Sequence, residues 1–464
     1  MKIDSLLDIK IDYSLLENID KGLLFEYGFL PIYYEELFLV VAIYNENSNT
    51  EKVIEIFNKP IKTIKVDKKE LLFELEYLDL KKYLYELSSK ALKDNQNSSN
   101  SYIIEFLDKI LEFCTKNNVS DIHFESTEDS LLLRFRIDGV LNQFFRFDIS
   151  LYPIISSIIK YFGNLDISQK RLPLNSRFTR EVDDKKYDFR ISTMPTIHGE
   201  SIVLRILDNS NVKKKLKDIG FNKSTLNNIV NRLKLKQGLI LVTGPTGSGK
   251  TTTLYSMLNE IDLKKKKIIT IEDPVEYKID GIIQVNINHE IKLDYHLVLK
   301  NILRQDPDIL MIGEIRDKES LQIAIQAALT GHLVIATLHT NSSIDTITRL
   351  HDLQAESYLI AATLKLVLSQ RLLRVLCDRC KIKQEDSYIK DGCKECRFTG
   401  YKNRIVVSEI LDIDSKIASM ISKNKNTIDI QDYLNSINFK TLKQNAYELV
   451  QEGKTSLSEY YENI

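Results

Sequence analysis

Apolar and polar positions divide the chain into segments of different rhythm. Residues 37–43 form an unbroken apolar run rich in β-branched side chains, which predicts a strand. Residues 69–87 repeat apolar side chains at helical spacing. The stretch from 93 to 101, Lys-Asp-Asn-Gln-Asn-Ser-Ser-Asn-Ser, is polar and without periodicity and reads as a linker. Residues 1–92 are long enough for a small domain but hold no chemical motif.

After the linker, Ile103, Ile104, Leu107, Ile110 and Leu111 share one face of a predicted helix over 102–117. Strand-like stretches follow at 120–125, 131–137 and 187–192, with a helix over 152–162. We read residues 102–208 as an α+β domain. The lysine-rich stretch 209–217 is a second linker, and 218–464 form a third domain. There a helix over 224–235, capped at Ser224, opens an alternation of helices with apolar strands at 238–243, 267–272, 281–287, 308–313 and 332–337. Such alternation predicts an α/β fold with a largely parallel sheet. From about 342 onward the pattern is mostly helical apart from a cysteine segment, and no internal repeat is visible.

Composition narrows the possibilities. Hydrophobic residues make up 43% and charged residues 28%, which is ordinary for a globular protein. Lys and Arg number 64 against 65 Asp and Glu, so net charge is −1 and direct DNA binding is not expected. No apolar run approaches membrane-spanning length, and acids interrupt the first residues where a signal peptide has its apolar core. A cytoplasmic location, with at most a peripheral membrane role, is expected.

The chemistry is concentrated in Gly244-Pro245-Thr246-Gly247-Ser248-Gly249-Lys250-Thr251, followed by Thr252. An apolar strand precedes it and a helical pattern follows, the context of a phosphate loop. Its glycines let backbone N–H groups turn inward onto phosphate oxygens, and the helix start adds partial positive charge. Lys250 reaches the β- and γ-phosphates of ATP, and the Thr251 hydroxyl holds Mg²⁺. The apolar strand 308–313 delivers Glu314, which either holds Mg²⁺ or polarises the attacking water. A second acidic cluster, Glu272-Asp273-Pro274-Val-Glu276, lies at another strand end, where Glu272 either orients that water or acts as base. His339 ends the strand that starts near His332, placed to report loss of the γ-phosphate.

Four of the five cysteines form two pairs, Cys377-Asp-Arg-Cys380 and Cys393-Lys-Glu-Cys396. Two C-x₂-C knuckles supply four thiolates for one tetrahedral Zn²⁺, a closed and therefore structural site. Cys114 stands alone in a helical pattern and is expected to be a buried apolar residue.

The phosphate loop, the acidic box over 270–277, the segment Arg304-Gln-Asp-Pro-Asp-Ile-Leu-Met-Ile-Gly-Glu-Ile-Arg-Asp317 and the histidine box over 330–341 occur together in this order. Upstream stand Ser120-Asp-Ile-His-Phe-Glu125, Arg134-Phe-Arg-Ile-Asp-Gly139, Gln169-Lys-Arg-Leu-Pro173 and the stretch from Asp188 to Glu200. As a set, over roughly residues 102–410, these resemble the traffic ATPases of type II secretion and type IV pilus assembly. The resemblance implies a RecA-like P-loop motor domain preceded by an α+β, PAS-like second N-terminal domain and a small first domain. A tetracysteine zinc module over 377–396 is inserted in the C-terminal domain. It implies a homo-hexamer that hydrolyses ATP, with Arg177 and Arg190, and less strongly Arg205, neutralising γ-phosphate charge. The family pattern around the first arginine is Gln-Asp-Gly-Arg, whereas this chain has Leu174-Asn-Ser-Arg177. The resemblance also implies an inner-membrane platform protein, a membrane-linked docking partner for residues 1–92, and work at the inner face of a bacterial membrane. A conjugation-type, nucleic-acid-translocating ATPase is the alternative.

Overall fold

In the computed structural model the described residues are 5–6, 9–16, 19–45, 50–93, 101–207, 214–289, 291–385 and 387–464. Most of both predicted linkers, at 94–100 and 208–213, lies outside them. The chain divides into two compact units. The first comprises Met1–Asp208 with Cys377–Lys381 and Lys390–Tyr401, and the second comprises Asn209–Leu376, Ile382–Ile389 and Lys402–Ile464.

The first unit contains α1 (Lys21–Tyr27), β1 (Phe29–Glu35), β2 (Phe38–Ile43), α2 (Thr50–Phe57), β3 (Ile61–Lys65), α3 (Lys68–Glu76), α4 (Leu78–Lys93) and α5 (Ser101–Lys116). It continues with β4 (Val119–Ser126), β5 (Ser130–Ile137), β6 (Val140–Asp148), α6 (Tyr152–Phe162), β7 (Leu174–Val182), β8 (Lys185–Thr196) and β9 (Gly199–Leu207). The expected strand over 37–43 is β2, in a three-stranded sheet of order β1-β2-β3. The helical spacing over 69–87 is carried by two helices, α3 and α4, parted at Tyr77, which ends α3 outside helical geometry. Leu84, Leu87 and Ala91 of α4 share a core with Phe106, Leu107 and Ile110 of α5. That core underlies a six-stranded antiparallel sheet of order β6-β5-β4-β9-β8-β7. Along β5 buried and half-buried positions alternate, the signature of a sheet packed on one face. Cys114 is fully buried on α5, where burial pushes its thiol pKa up, as suits an apolar role.

The second unit contains α7 (Lys223–Arg232), β10 (Gly238–Thr243), α8 (Lys250–Leu258), β11 (Ile268–Glu272), β12 (Ile283–Asn286), α9 (Tyr295–Ile302), β13 (Ile309–Ile312), α10 (Lys318–Leu329), β14 (Leu333–Leu338), α11 (Ser343–Asp352) and α12 (Ser357–Thr363). Then come β15 (Leu364–Leu376), β16 (Ile382–Gln384), β17 (Ser387–Ile389), β18 (Tyr401–Asp412), α13 (Ser415–Ser422), α14 (Thr427–Ser436), α15 (Leu442–Gln451) and α16 (Leu457–Asn463). Strands β12-β11-β13-β14-β10-β15-β18 form one sheet, with the pairs from β12 to β15 all parallel. Every residue of β10 and β14 is buried, because helices cover both faces. Leu239, Leu241, Val334 and Ala336 enter one core, and Ile240, Val242, Leu333 and Ile335 enter the other. That split is the period-two geometry of a strand sandwiched between two cores.

Two expectations need correction. The cap of α7 is Asn222, whose side chain accepts the Thr225 N–H at 2.8 Å, so Ser224 falls inside the first turn. The region after 342 carries the expected helices, α11 to α16, but also two long strands that were not expected: β15 and β18 extend the central sheet. The sequence of β15 is rich in Leu, Lys, Arg and Gln, which favour helix on their own. Pairing with buried β10 overrides that preference.

Candidate functional site

Parallel strands end on the same edge of a sheet, and the open ends of such strands collect ligand-binding loops. The carboxyl ends of β11, β13, β14 and β10, neighbours in the sheet, carry Glu272, Glu314, His339 and the phosphate loop respectively. Four motifs spread over about a hundred residues of sequence thereby meet at one edge.

The loop leaves β10 at Gly244 and enters α8 through Gly249, with φ of 147° and 87°, while Gly247 has φ of 80°. Only glycine adopts these values without strain. A Cβ on Gly244 would also stand 2.5 Å from the Gln370 carbonyl oxygen, so backbone approaches backbone there. Pro245, Thr246 and Gly247 form the exposed tip, and Ser248 is buried. Lys250, Thr251 and Thr252 make the first turn of α8, with Thr251 exposed and Thr252 half-buried. The Lys250 ammonium donates to the Gly244 carbonyl at 2.8 Å and the Pro245 carbonyl at 3.0 Å. Burial lowers its pKa to about 8; the Glu314 carboxylate opposes that shift and the Arg371 guanidinium adds to it.

Glu314 sits between a guanidinium and an imidazole. Its Oε2 accepts from Arg316 Nε at 2.9 Å, and its Oε1 lies 3.2 Å from His339 Nε2. The loop carrying it is fixed by Gly313 N–H to the Ile271 carbonyl at 2.8 Å and by Thr337 Oγ1 to the Gly313 carbonyl at 2.6 Å. The His339 imidazole is held below its ordinary pKa, first by burial and then by Lys250, with Glu314 pulling upward. His332, at the other end of β14, bonds locally to the Ala327 carbonyl at 3.0 Å.

Glu272 is buried, and both its oxygens are engaged. Oε1 accepts from Thr270 Oγ1 at 2.7 Å and Gln284 Nε2 at 3.2 Å, and Oε2 accepts the Tyr255 phenol in a short hydrogen bond. The same phenol oxygen receives the Glu276 N–H at 3.3 Å, bracing the acidic turn. Burial, then the Glu272 carboxylate, push the Tyr255 pKa well up, so it remains a donor. Asp273 faces His289 Nε2 at 3.3 Å. Sequence reasoning missed Tyr255, Gln284, Gln370 and Arg371. Each lies outside any motif, and only Tyr255, four residues past the loop on α8, was within reach of a helical-spacing argument.

Arg177, Arg190 and Arg205 belong to the first unit. The registers Arg177↔Arg190 and Arg190↔Arg205 set them side by side across β7, β8 and β9, and Asp121 on β4 follows in the same row. Directly opposite residues of an antiparallel sheet share a face. Arg205 is held by Asp121, Nε to Oδ1 at 2.8 Å, which ties it into the sheet.

The four cysteine sulfurs lie within 4.8 Å of one another. Cys377 and Cys393 are 3.8 Å apart, Cys380 and Cys396 3.6 Å, and Cys393 and Cys396 3.8 Å. Zinc–sulfur bonds of ~2.3 Å in a tetrahedron require edges of roughly 3.8 Å, so the donor set fits Zn²⁺. Backbone N–H groups of Cys393 and Gly400 each point at Cys396 Sγ from 3.2 Å, the stabilisation a thiolate wants. The knuckles bond within the first unit: Lys394 Nζ to Glu76 Oε1 at 2.9 Å and Arg397 Nη1 to Asn117 Oδ1 at 3.3 Å.

Among the described residues, no helix is long and apolar enough to cross a membrane. A family model described as "Type II/IV secretion system protein" matches residues 96–462. The chain is 39% identical over 357 residues to Type II secretion system protein HxcR of Pseudomonas aeruginosa, covering 77% of this chain and 76% of that protein. It is 34% identical over 485 residues to the type IV pilus assembly ATPase PilB of Acinetobacter baylyi, covering 96% and 83%. Among solved structures, the pilus retraction motor PilT with bound ADP aligns at TM-score 0.55 and 28% identity, over 77% of this chain and 96% of that one. The ATPase DotB of Legionella pneumophila aligns at TM-score 0.59 and 21% identity, over 77% and 94%, a likeness of fold. With a matching family model over most of its length and relatives of this similarity, the chain belongs to the type II/IV secretion system protein family.

Proposed function

We propose that this chain is the ATP-hydrolysing motor of a type II secretion or type IV pilus assembly machine. One observation carries the reading: Lys250, Glu314, His339 and Glu272 converge on one sheet edge from four separate segments. In a nucleotide-free protein such a cluster of opposed charges has no structural purpose that apolar packing would not serve better.

The loop N–H groups from Thr246 to Thr252 and the Lys250 ammonium bind the β- and γ-phosphates. Thr251 and Glu314 are the residues that hold Mg²⁺, which supplies charge neutralisation at the phosphates when bound. Glu314 is the more exposed of the two acids, 23% against 4% for Glu272, and its charge acts on the loop lysine, so it is the better placed acid to polarise water. Glu272, with both oxygens occupied, keeps the acidic box in shape and orients water at its margin. His339 couples to Glu314 and changes partner when the γ-phosphate leaves. Arg177 and Arg190 neutralise charge on the γ-phosphate. Cys377, Cys380, Cys393 and Cys396 hold a structural Zn²⁺.

Six copies form the working ring at the cytoplasmic face of a bacterial inner membrane. There they drive a platform protein that lifts pilin-like subunits, while residues 1–92 dock to a membrane-linked partner. Steady phosphate release by the purified full chain, lost in Lys250→Ala and reduced ~10³-fold in kcat in Arg190→Ala, is the expected result. A chain that releases no phosphate even beside its platform protein would end this reading. Tight, strongly salt-dependent DNA binding would instead favour a nucleic-acid motor.

A further inference from the structure

A phosphate loop works only if its N–H groups face the ligand. A loop of three glycines has little to hold them there. In this chain the restraint comes from β15, where Ser369, Gln370 and Arg371 follow one another beside the loop. Thr243 Oγ1 and Ser369 Oγ are 2.5 Å apart where the loop begins. The Gln370 side chain is 1% exposed. Its Nε2 donates to the Ser248 carbonyl at 2.7 Å, and its Oε1 accepts from Thr253 Oγ1 at 2.9 Å. Arg371 Nη2 donates to the Asn341 carbonyl at 3.1 Å, two residues beyond His339.

We propose that Gln370 is a positioning residue of the nucleotide site, fixing which way the Ser248–Gly249 peptide faces. This rests on the reading of that edge as an ATP site. In a planar trans peptide, C=O and N–H point in opposite directions. Tying the Ser248 oxygen outward to Gln370 therefore aims the Gly249 N–H into the cradle. Gly249 has φ of 87° and no Cβ, so without that bond its peptide is free to turn over. The Gln370 Nε2 also stands 3.2 Å from where a Gly249 Cβ would be, so side chain and glycine are fitted to each other. The amide orientation follows from its partners: the Ser248 carbonyl offers only an acceptor, which demands the NH₂, and the Thr253 hydroxyl donates to the remaining oxygen. Through Arg371 the same strand also holds the segment after His339, so the loop and the histidine box share one backing.

The test uses full-length protein, a fluorescent ADP analogue with Mg²⁺, and circular dichroism to establish folding. Gln370→Met keeps the volume and removes both hydrogen bonds. It is expected to stay folded and to bind the analogue at least about tenfold more weakly, a loss of ~1.4 kcal/mol. In steady-state hydrolysis KM should rise more than kcat falls. Thr253→Val removes only the Oε1 partner, and its effect should largely vanish in the double variant, because the two side chains act through one bond. A folded Gln370→Met that binds within twofold of the unsubstituted protein overturns the proposal. If Gln370→Met does not fold, Thr253→Val decides: weakened binding supports the assignment and binding within twofold overturns it. Unsubstituted protein that binds no nucleotide overturns the ATP-site reading and this inference together.

Discussion

His339 Nε2 lies 3.2 Å from Glu314 Oε1, joining the ends of the adjacent parallel strands β14 and β13. Glu314 raises the His339 pKa, whereas burial, Lys250 and Arg316 all lower it. Glu314→Gln should therefore drop the imidazole pKa further, read by NMR titration of selectively labelled histidine. An upward shift would contradict the pairing. The sign for stability follows from the lowered folded value. The contribution is fully present above the unfolded pKa of about 6.5 and is lost as pH falls through the interval below it.

Lys250 titrates near 8 because burial disfavours its charge. A triphosphate beside it favours the ammonium again, so nucleotide binding should take up a proton between about pH 8 and the ordinary lysine value of ~10.4. Affinity should fall as pH rises through that window. Calorimetry in buffers of different ionisation enthalpy reads the uptake directly. Uptake that persists unchanged in Lys250→Met would assign the proton elsewhere.

The buried Tyr255–Glu272 hydrogen bond supports the acidic box. Tyr255→Phe leaves Glu272 Oε2 without its donor inside the protein. We expect a loss of about 1–3 kcal/mol, seen as a lower urea midpoint with an unchanged slope. No change in midpoint would mean the carboxylate reaches water.

The sulfur spacing calls for one Zn²⁺ per chain, measured by elemental analysis of protein purified without chelator. Cys393→Ser with Cys396→Ser should lose the metal and lower the thermal midpoint, because binding energy at a structural zinc site is folding energy. Full metal content in that double variant would refute the four-thiolate site.

The chain's own residue order was enough to place the candidate chemistry. A phosphate loop needs its glycines, lysine and threonine at fixed spacing on consecutive residues, and two C-x₂-C knuckles need the same. Periodicity also marked the buried strands β10, β13 and β14, since a sheet covered on both faces demands unbroken apolar runs. What local sequence could not reveal is long-range pairing. Leu364 to Leu376 carries helix-favouring side chains and becomes a strand only because β10 offers a ladder. Gln370, 120 positions after Lys250, meets the loop solely through that ladder. The row of Arg177, Arg190 and Arg205 exists only in the registers of β7, β8 and β9. A motif records what neighbours along the chain must be; hydrogen-bond partners far apart in sequence are chosen by which strands pair and which faces are buried.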